Sequence, residues 1–406
     1  MQALFLTGVG EENLQLREVP MPEPGPGQVL CRVDAAMACA SDTKLVDQGG
    51  QHGLLNGWDV EKYPVIPGHE ASLTVIAPGP DLQETYPEGT RCALQPAVPL
   101  GPIRYRERYR NNAEGVNKVA VGYTLPGAFA EYVLLTEEVI STGCLLRLPS
   151  DDIPHFGVCL AEPFSCVVAA QERHIHFYKT GPGKPARPVS GVKQGGVTVV
   201  IGAGPMGLMH TELALTKNPR AVIVSEILER RRARLVQHFA GADSSLPPGI
   251  IPVEPDHLES TLKKVSGGSG ADDVIVAVGD ARLQEYALGL LAAGGVADFF
   301  GGTRPGASEI TVDTRRVHYD GITMVGSSGS DAGHVADVLE LLQNNQLNPG
   351  PYVSAVGGMD AVLELMGRVR NRSLEGKGVI YPHKRGALRL VEGWSAEQEA
   401  EYLARD

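Results

Sequence analysis

The sequence predicts an α/β protein in two parts, a β-rich region of short strands and a second region built around a parallel sheet. Three observations support this fold class. The first 150 residues or so contain short β-rich segments bounded by Pro or Gly, and the stretch from about 191 to 320 contains continuous apolar runs separated by helix-like segments. A Gly-x-Gly-x-x-Gly motif follows the first of those runs. The 406 residues, 43% hydrophobic and 21% charged, have the composition of a folded protein of two or three domains.

The N-terminal region has the pattern of a small barrel or sandwich. Its clearest candidate strands are residues 29–34, 71–76 and 129–135, which are rich in β-branched and aromatic residues. The 49 Gly and 29 Pro are scattered singly between such runs, which indicates many tight turns and argues against an all-helical bundle.

The second region has the pattern of a βαβ series. Its apolar runs, residues 197–201, 221–225, 273–278 and 296–300, are typical of parallel strands buried on both faces. Residues 179–191 precede the first run and are so rich in Pro and Gly that we expect an irregular, exposed insertion. Near the end of the chain, Ser395 and Gln398 form a capping pattern that predicts a short polar helix used in packing or subunit contact.

Charge and cysteine usage exclude several classes of protein. With 36 Lys and Arg against 48 Asp and Glu, the net charge is −12, so we expect no nucleic-acid partner. The six cysteines show no Cys-x-x-Cys spacing, which argues against a disulfide framework or a zinc ribbon and favours a reducing compartment. No secretory leader pattern and no membrane-spanning apolar run is evident, so a cytoplasmic protein without a membrane partner is expected.

The glycine motif predicts a dinucleotide site. It comprises Gly202, Gly204, Pro205, Met206 and Gly207, directly after a predicted strand and directly before a predicted helix. In such a turn the first glycine permits the bend, the second admits a pyrophosphate and the third allows close packing of helix on strand, while the helix N-terminus faces the anion.

An acidic residue at the expected distance strengthens this prediction. Glu226 ends the next apolar run, 19 positions after Gly207, where a carboxylate accepts hydrogen bonds from the adenosine ribose and repels a 2′-phosphate. NAD is therefore favoured over NADP. The opposite preference stays open because Arg231 and its neighbours Arg230 and Arg232 are suited to pair with a phosphate.

Metal-ligand residue types occur in three separate segments. Cys39, the adjacent pair His69 and Glu70, and Glu162 together offer a thiolate, an imidazole and carboxylates, a plausible tetrahedral zinc set with one position left for water or substrate. Taken singly, each of these residues is more often structural than metal-binding.

The order of these motifs resembles one family. Cys39-x-Ser41-Asp42, Gly68-His69-Glu70, a Gly-Ala-Phe-Ala-Glu-Tyr-Val run at 127–133, Ala-Glu-Pro-x-Ser at 161–165 and then the glycine motif follow each other as in the zinc-dependent medium-chain dehydrogenase/reductase superfamily. The resemblance covers essentially the whole chain, including residues 320–329 and 376–380. In having Glu at position 162, the chain resembles the polyol and sugar dehydrogenase branch, which includes sorbitol dehydrogenase. The long insertion after His174 is most similar to L-sorbose-1-phosphate reductase and its relatives.

This resemblance implies a fold and a set of domains. A GroES-like β-barrel catalytic domain is expected over residues 1–170, a Rossmann domain with a doubly wound parallel sheet over 171–345, and a return to the catalytic domain with a C-terminal extension over 346–406. A homodimer or homotetramer is the implied assembly.

The resemblance also implies a reaction and roles. Cys39 and His69 would bind a catalytic zinc, with Glu70 and Glu162 as alternative third ligands or as water-bridged groups beside it. Ser41 would pass the alcohol proton towards the cofactor ribose, and Asp42 would orient the His69 ring. The implied reaction is hydride transfer between a nicotinamide cofactor and a secondary alcohol or ketone of a polyol, sugar or sugar phosphate.

Two rival functions stay open on the sequence. A threonine-dehydrogenase-like enzyme would use the same metal and hydride chemistry on a hydroxy amino acid. A non-catalytic NAD-binding sensor would use only the dinucleotide site. The joint presence of six polar groups argues against it, namely Cys39, Ser41, Asp42, His69, Glu70 and Glu162.

The chain departs from many relatives at the lobe of about residues 90–125. Those relatives hold a structural zinc with four cysteines there, whereas this chain has only Cys92, so a single catalytic zinc and no structural zinc are expected. In its place Arg104, Arg106, Arg108 and Arg110 alternate, and an extended strand would put them on one face, suited to a subunit contact or to a sugar phosphate. His174 and His176, without a third ligand nearby in sequence, are assigned to an ordinary helix end.

Overall fold

The computed structural model describes residues 1–99, 104–110, 113–114, 116–240, 246–247, 249–304 and 306–405. The chain forms two compact units, one made of Met1–Ser165 with Ser330–Asp406 and the other of Cys166–Gly329. The sequence predicts domain boundaries at 170/171 and 345/346. In the structure Ser330 bonds within the first unit, to the side chains of Gln95 at 2.8 Å and Ser165 at 2.6 Å.

Strands and helices are numbered here along the chain. The strands are β1 (Gln2–Leu6), β2 (Leu14–Glu18), β3 (Val29–Met37), β4 (Glu70–Pro78), β5 (Arg91–Leu94), β6 (Ala97–Val98), β7 (Val119–Ala120), β8 (Tyr132–Leu135), β9 (Leu145–Arg147), β10 (Ile175–Lys179), β11 (Ala186–Ser190), β12 (Val197–Ile201), β13 (Ala221–Ser225), β14 (Ile250–Val253), β15 (Ala271–Val276), β16 (Leu291–Asp298), β17 (Thr323–Val325), β18 (Val353–Gly358), β19 (Lys377–Tyr381) and β20 (Arg389–Leu390). The helices are α1 (Ala40–Gln48), α2 (Glu137–Ser141), α3 (His155–Gln171), α4 (Pro205–Leu215), α5 (Glu229–Phe239), α6 (Leu258–Ser266), α7 (Ala281–Leu290), α8 (Ala332–Gln343), α9 (Val362–Arg370) and α10 (Ala396–Ala404). None of these helices is long and apolar enough to cross a membrane, a statement restricted to the residues described.

The first unit is built on an eight-stranded sheet in the order β20-β18-β19-β3-β4-β5-β9, with β8 also paired to β3. The central pair β3 and β4 is antiparallel, so Met37 at the end of β3 lies opposite Glu70 at the start of β4. On the other side of β3, Val379 of β19 pairs with Met37. The end of β3, which directly precedes Cys39, therefore lies between the start of β4 and β19.

The helix α3 begins with a cap supplied by a distant part of the chain. The carboxylate of Glu399, in α10, accepts the backbone N–H of His155 at 2.7 Å and that of Phe156 at 3.0 Å. The hydroxyl of Tyr381 also donates to Glu399, at 2.8 Å. A carboxylate at this position satisfies N–H groups that no helical carbonyl reaches and complements the positive end of the helix. The predicted capping of α10 itself is confirmed, since Ser395 and Gln398 bond reciprocally.

The second unit contains the predicted parallel sheet. Its order is β14-β13-β12-β15-β16-β17, and every neighbouring pair is parallel. Numbered from β12 this is the 3-2-1-4-5-6 order of a doubly wound dinucleotide fold, in which the chain reverses direction of winding between β12 and β15. The side chains of β12 and β13 are all buried, as continuous apolar runs require.

The prediction of an irregular insertion at 179–191 was wrong for residues 186–190, which form strand β11. Strand β11 pairs antiparallel with β10 through a register that joins Phe177 to Pro188 and His176 to Val189. Proline is tolerated because β11 is an edge strand of a two-stranded ribbon, where a missing N–H costs no ladder hydrogen bond when it faces outward. The expected exposure is present, since every residue of β11 is exposed.

The arginine-rich lobe does not form the extended strand that the alternating pattern suggested. Residues Arg106–Arg108 form a 3-10 turn, so the four guanidinium groups do not share one face. Arg104 pairs with Glu137 at 3.0 Å, Arg110 pairs with Asp59 at 2.6 Å, and Arg108 stacks over Tyr105 with 3.9 Å from the guanidinium carbon to the ring centroid. Internal partners thus hold Arg104, Arg108 and Arg110.

The parts of the motif at 101–103 and 111–112 lie outside the described residues.

Candidate metal centre and dinucleotide site

Cys39 caps the helix that opens the candidate metal centre. It is the N-cap of α1 in an extended conformation, and its backbone N–H donates to Asp42 Oδ2 at 2.8 Å. This reciprocal cap fixes the backbone of Cys39 at the end of β3. The predicted pair Ser41 and Asp42 therefore lies in the first turn of the same helix.

Asp42 holds the ring of His69. Its Oδ1 lies 2.9 Å from His69 Nδ1 and also accepts the backbone N–H of Gly68 at 3.3 Å, and both side chains are buried. A carboxylate beside Nδ1 favours the tautomer with the proton on that nitrogen, which leaves the lone pair of Nε2 available; metal-bound histidines typically have such an orienting contact. On that other side of the ring, Ser41 Oγ lies 3.2 Å from His69 Nε2.

Glu70 is fully buried and paired on one oxygen only. Lys377, from β19, donates from Nζ to Glu70 Oε1 at 2.6 Å, and this lysine is also buried. Burial lowers the pKa of Lys377, but the negative charge of Glu70 outweighs it and holds that pKa well above its usual value. Glu70 Oε2 is buried without a hydrogen-bond partner among the described residues. A buried, unsatisfied carboxylate oxygen requires a compensating group.

The ligand atoms of Cys39, His69 and Glu70 all lie within 4.8 Å of one another. Glu162, in α3, is half-buried and lies outside this group, although its charge contributes to raising the pKa of Lys377. A thiolate, an imidazole and a carboxylate converging beside an unsatisfied oxygen are the donor set that zinc prefers, so these residues fit a zinc ion.

Two side chains at this site escaped the sequence reasoning. Lys377 lies in a segment used only to support the resemblance, and its distance in sequence from Glu70 hides the ion pair. Tyr123 lies with its ring centroid 5.5 Å from that of His69, is itself buried, and stacks on His52 at 5.1 Å. Burial raises the pKa of the Tyr123 phenol, which stays protonated near neutral pH. No pattern around Tyr123 marks it in the sequence.

The glycine motif forms the expected turn between β12 and α4. Gly202 has a φ of +103°, a conformation that favours glycine. A Cβ on Gly207 would lie 1.9 Å from the carbonyl oxygen of Gly202, so only glycine allows this approach of helix to strand. Gly204 is the N-cap of α4, and a Cβ there would meet nothing within 4 Å.

The helix N-terminus beside this space is suited to an anion. Pro205 and Met206 form the first turn of α4, and both are partly exposed. No side chain among the described residues caps this N-terminus. Open space at Gly204 next to unpaired N–H groups fits a dinucleotide pyrophosphate.

Glu226 follows β13 at the same edge of the sheet. Its Oε2 accepts the backbone N–H of Ala203 at 2.9 Å, and its Oε1 accepts that of Leu228 at 2.9 Å. Arg231 lies 3.8 Å from Glu226 Oε2, whereas Arg232 is held by Glu254 at 2.6 Å. The carboxylate is thus positioned against the glycine turn, as ribose recognition requires.

His174 lies just after the end of α3, as expected, but His176 lies in a strand and not at a helix end. His176 lies in β10, both rings are buried, and Asp273 of β15 contacts each of them. The third ligand type is 97 residues away from His176 in sequence, so spacing alone conceals it.

Comparison with known proteins agrees with this architecture. The family model "Alcohol dehydrogenase GroES-like domain" matches residues 25–144, and the model "Zinc-binding dehydrogenase" matches residues 205–344. The chain is 28% identical to mannitol-1-phosphate 5-dehydrogenase of Aliivibrio fischeri, over 96% of this chain and 89% of that protein. It is also 28% identical to L-sorbose 1-phosphate reductase of Klebsiella pneumoniae, over 87% of this chain and 82% of that protein.

A solved structure shows the same fold. The 2R,3R-butanediol dehydrogenase of Bacillus subtilis superimposes with a TM-score of 0.73 at 21% identity, covering 94% of this chain and 99% of that one. Both halves of the fold and the order of the motifs are accounted for by one family. The chain therefore belongs to the zinc-dependent dehydrogenases of the alcohol dehydrogenase superfamily, in their polyol dehydrogenase branch, and is an NAD(P)-dependent oxidoreductase.

Proposed function

We propose that this chain transfers hydride between NAD and a secondary alcohol or ketone of a polyol, sugar or sugar phosphate. The observation that carries the proposal is the convergence of the Cys39, His69 and Glu70 ligand atoms within 4.8 Å, beside a buried carboxylate oxygen without a hydrogen-bond partner in the part of the chain that the structure describes. The glycine turn with Glu226 supplies the dinucleotide half of the reaction.

Cys39 and His69 would hold the zinc, with Glu70 as the third ligand. Glu70 is preferred to Glu162 because its ligand atom belongs to the converging group. Zinc, when bound, lowers the pKa of a substrate hydroxyl so that its proton can leave near neutral pH. Lys377 would hold Glu70 Oε1 and so aim Oε2 at the metal.

Ser41 would relay the proton of the substrate hydroxyl: its Oγ would accept that proton while its own hydroxyl proton leaves towards the cofactor ribose or solvent. Its Oγ lies 3.2 Å from His69 Nε2, which places the hydroxyl next to the metal-facing atom of the ring. Asp42 would keep Nδ1 of His69 protonated through its 2.9 Å contact, so that Nε2 stays available as a ligand. This division leaves Ser41 as the group that moves the proton and Asp42 as a positioning residue.

The substrate class is supported by the relatives. The names of the two relatives above specify a phosphorylated polyol and a phosphorylated ketose, so phosphate esters come first in a substrate panel. The arginine lobe gives no support for a phosphate site, because Arg104 and Arg110 are paired with carboxylates.

For the cofactor, NAD is favoured because Glu226 is fixed beside the glycine turn by two backbone hydrogen bonds. Each of its oxygens retains a further lone pair for a ribose hydroxyl. The carboxylate would repel a 2′-phosphate at the same position.

The assembly is proposed to be a homodimer or homotetramer. Strand β17 ends the order of the parallel sheet, and Met324 in it is 41% exposed. A second copy paired along this strand would satisfy its free backbone groups. Light scattering on the purified chain, with Met324→Pro as the variant that removes a strand N–H, tests this assembly.

The experiment that tests the function combines metal analysis with a substrate screen. The purified chain is assayed with NAD and with NADP against polyols, free sugars, sugar phosphates and threonine. We expect turnover on a stereochemical subset of polyols or sugar phosphates, lost in Cys39→Ser without loss of NAD binding. Exclusive turnover of threonine would replace the substrate class, and absence of turnover in zinc-loaded protein would favour the NAD-binding sensor.

A further inference from the structure

A second group of metal-ligand side chains lies in the dinucleotide-binding unit. His174 follows α3, His176 lies in β10 and Asp273 lies in β15. The exposed fractions of these residues are 0%, 4% and 0%. Their ligand atoms lie within 4.8 Å of one another. None of the three has a role in the hydride-transfer site proposed above.

Both histidine rings contact the same carboxylate oxygen. His174 Nδ1 lies 2.7 Å from Asp273 Oδ1, and His176 Nε2 lies 2.8 Å from the same oxygen. We propose that His174 Nδ1, His176 Nε2 and Asp273 Oδ1 bind one divalent transition-metal ion, of which zinc is the best match.

The surroundings of these ligands are those of a metal site. The other nitrogen of His174, Nε2, faces Asp298 Oδ2 at 3.5 Å. The other oxygen of Asp273, Oδ2, accepts the backbone N–H of Lys193 at 2.8 Å. Metal-bound histidines typically give their second N–H to a carboxylate, and metal-bound carboxylates are hydrogen-bonded on their free oxygen. Both outer contacts are in place.

The electrostatics of the cluster favour a cation. Asp273 and Asp298 are both fully buried, and Asp298 Oδ1 has no hydrogen-bond partner among the described residues. Asp273 Oδ1 faces a ring nitrogen of both His174 and His176, and Asp298 faces the other nitrogen of His174. A divalent cation bound there would take both ring nitrogens and Asp273 Oδ1 as its ligands, so the two nitrogens would no longer compete for that oxygen.

The choice of metal follows from the ligands. Imidazole nitrogen with one carboxylate suits zinc and other late first-row ions, whereas magnesium and calcium prefer oxygen alone. Zinc at about 2.0–2.1 Å from each ligand would separate the ligand atoms by roughly 3.3 Å, so the present contacts of 2.7 and 2.8 Å need to open by only about 0.5 Å.

The site would be structural. Because its ligands are buried, substrate has no access to a fourth position. It would instead tie β10, and with it the exposed hairpin of β10 and β11, to β15 of the parallel sheet. This role is independent of the catalytic zinc.

Metal counting in the full chain tests the proposal. Mass spectrometry of metals after dialysis is expected to give about two zinc ions per chain in the wild type and about one in Cys39→Ser. The double variant Cys39→Ser with His176→Gln is expected to hold none. His257→Gln, an exposed histidine in the same unit, is the matched control and is expected to leave the count unchanged.

Three further measurements keep the test decisive if His176→Gln folds poorly. Cobalt bound to the Cys39→Ser chain should show a d–d spectrum without the thiolate charge-transfer band. The variant Asp298→Asn should weaken zinc binding about tenfold or more without abolishing it. Chelator should also lower the Tm of Cys39→Ser. A folded Cys39→Ser chain that holds no zinc, and whose Tm is the same with chelator and with added zinc, would overturn the proposal. The catalytic assignment would stand in that case.

Discussion

Two glycines of the same motif are required for different reasons, and Ala substitutions separate them. In Gly207→Ala the new Cβ would lie 1.9 Å from the carbonyl oxygen of Gly202. Real contacts of this kind are no shorter than 3.0 Å, so α4 and the turn must move apart by about 1.1 Å. Forced overpacking costs about 1–3 kcal/mol, and a backbone obstacle places this variant at the upper end.

That free energy translates into a measurable change of Tm. At roughly 2–4 °C per kcal/mol for a unit of this size, Gly207→Ala should unfold about 6–12 °C earlier by circular dichroism. It should also bind NAD poorly, because the turn is displaced.

Gly204→Ala is the matched control. A Cβ there meets nothing within 4 Å, and the φ of −70° is accessible to alanine, so unfolding should change by no more than about 1 kcal/mol. The methyl group instead occupies the space assigned to the pyrophosphate, and calorimetric titration should show NAD binding weakened about tenfold or more. A Gly204→Ala chain that binds NAD normally would refute the dinucleotide assignment. A Gly207→Ala chain of wild-type stability would refute the close approach.

Three further predictions concern single side chains. Glu226→Gln removes the charge that repels a 2′-phosphate, and the ratio of kcat/KM for NADP to that for NAD should rise about tenfold; an unchanged ratio would contradict the ribose assignment. Lys377→Met leaves the buried carboxylate of Glu70 without its cation, which costs about 3–5 kcal/mol in metal-free protein. Added zinc should recover most of the lost Tm, and equal destabilisation with and without zinc would argue against Glu70 as a ligand. Burial and, to a smaller extent, the charge of Arg91 lower the pKa of His155 to about 4. Between pH 4 and 6.5 the unfolded state therefore binds more protons than the folded state. Up to about 3 kcal/mol of stability is lost as pH falls through that range. His155→Gln should flatten this part of the Tm-against-pH curve, and an identical curve would contradict the assignment.

Much of the fold was predictable because its patterns are local. The buried runs of β12 and β13 and the glycine turn between β12 and α4 depend on neighbouring residues, and each formed where the sequence predicted it. The capping pattern at Ser395 is local in the same sense.

The errors arose where distant residues decide the outcome. Residues 186–190 look irregular by composition, but pairing with β10 makes them a strand. The alternating arginines predict one charged face only if the chain is extended, and ion pairs to Glu137 and Asp59 favour a turn instead. Asp273 could not be paired with His176 from sequence, because the contact forms only when β10 approaches the sheet.

The candidate metal centre combines residues that a local pattern places with a residue that reaches it from a distant part of the chain. The first turn of α1 places Ser41 and Asp42 beside Cys39 by local geometry, and the pairing of β3 with β4 brings Glu70 near them. Lys377 enters from β19, about 300 residues later, and no spacing rule connects it to Glu70.

The cap that Glu399 places on α3 has a consequence for the order of folding during synthesis. The dinucleotide-binding unit is contained between the two segments of the first unit, so the ribosome makes that entire unit before it makes Lys377 or Glu399. The inserted unit can therefore fold while the sheet around β3 still lacks β19 and the helix bearing Glu162 still lacks its cap. A nascent chain stalled before residue 377 should resist protease across the nucleotide-binding half and be cut readily in the half that precedes it.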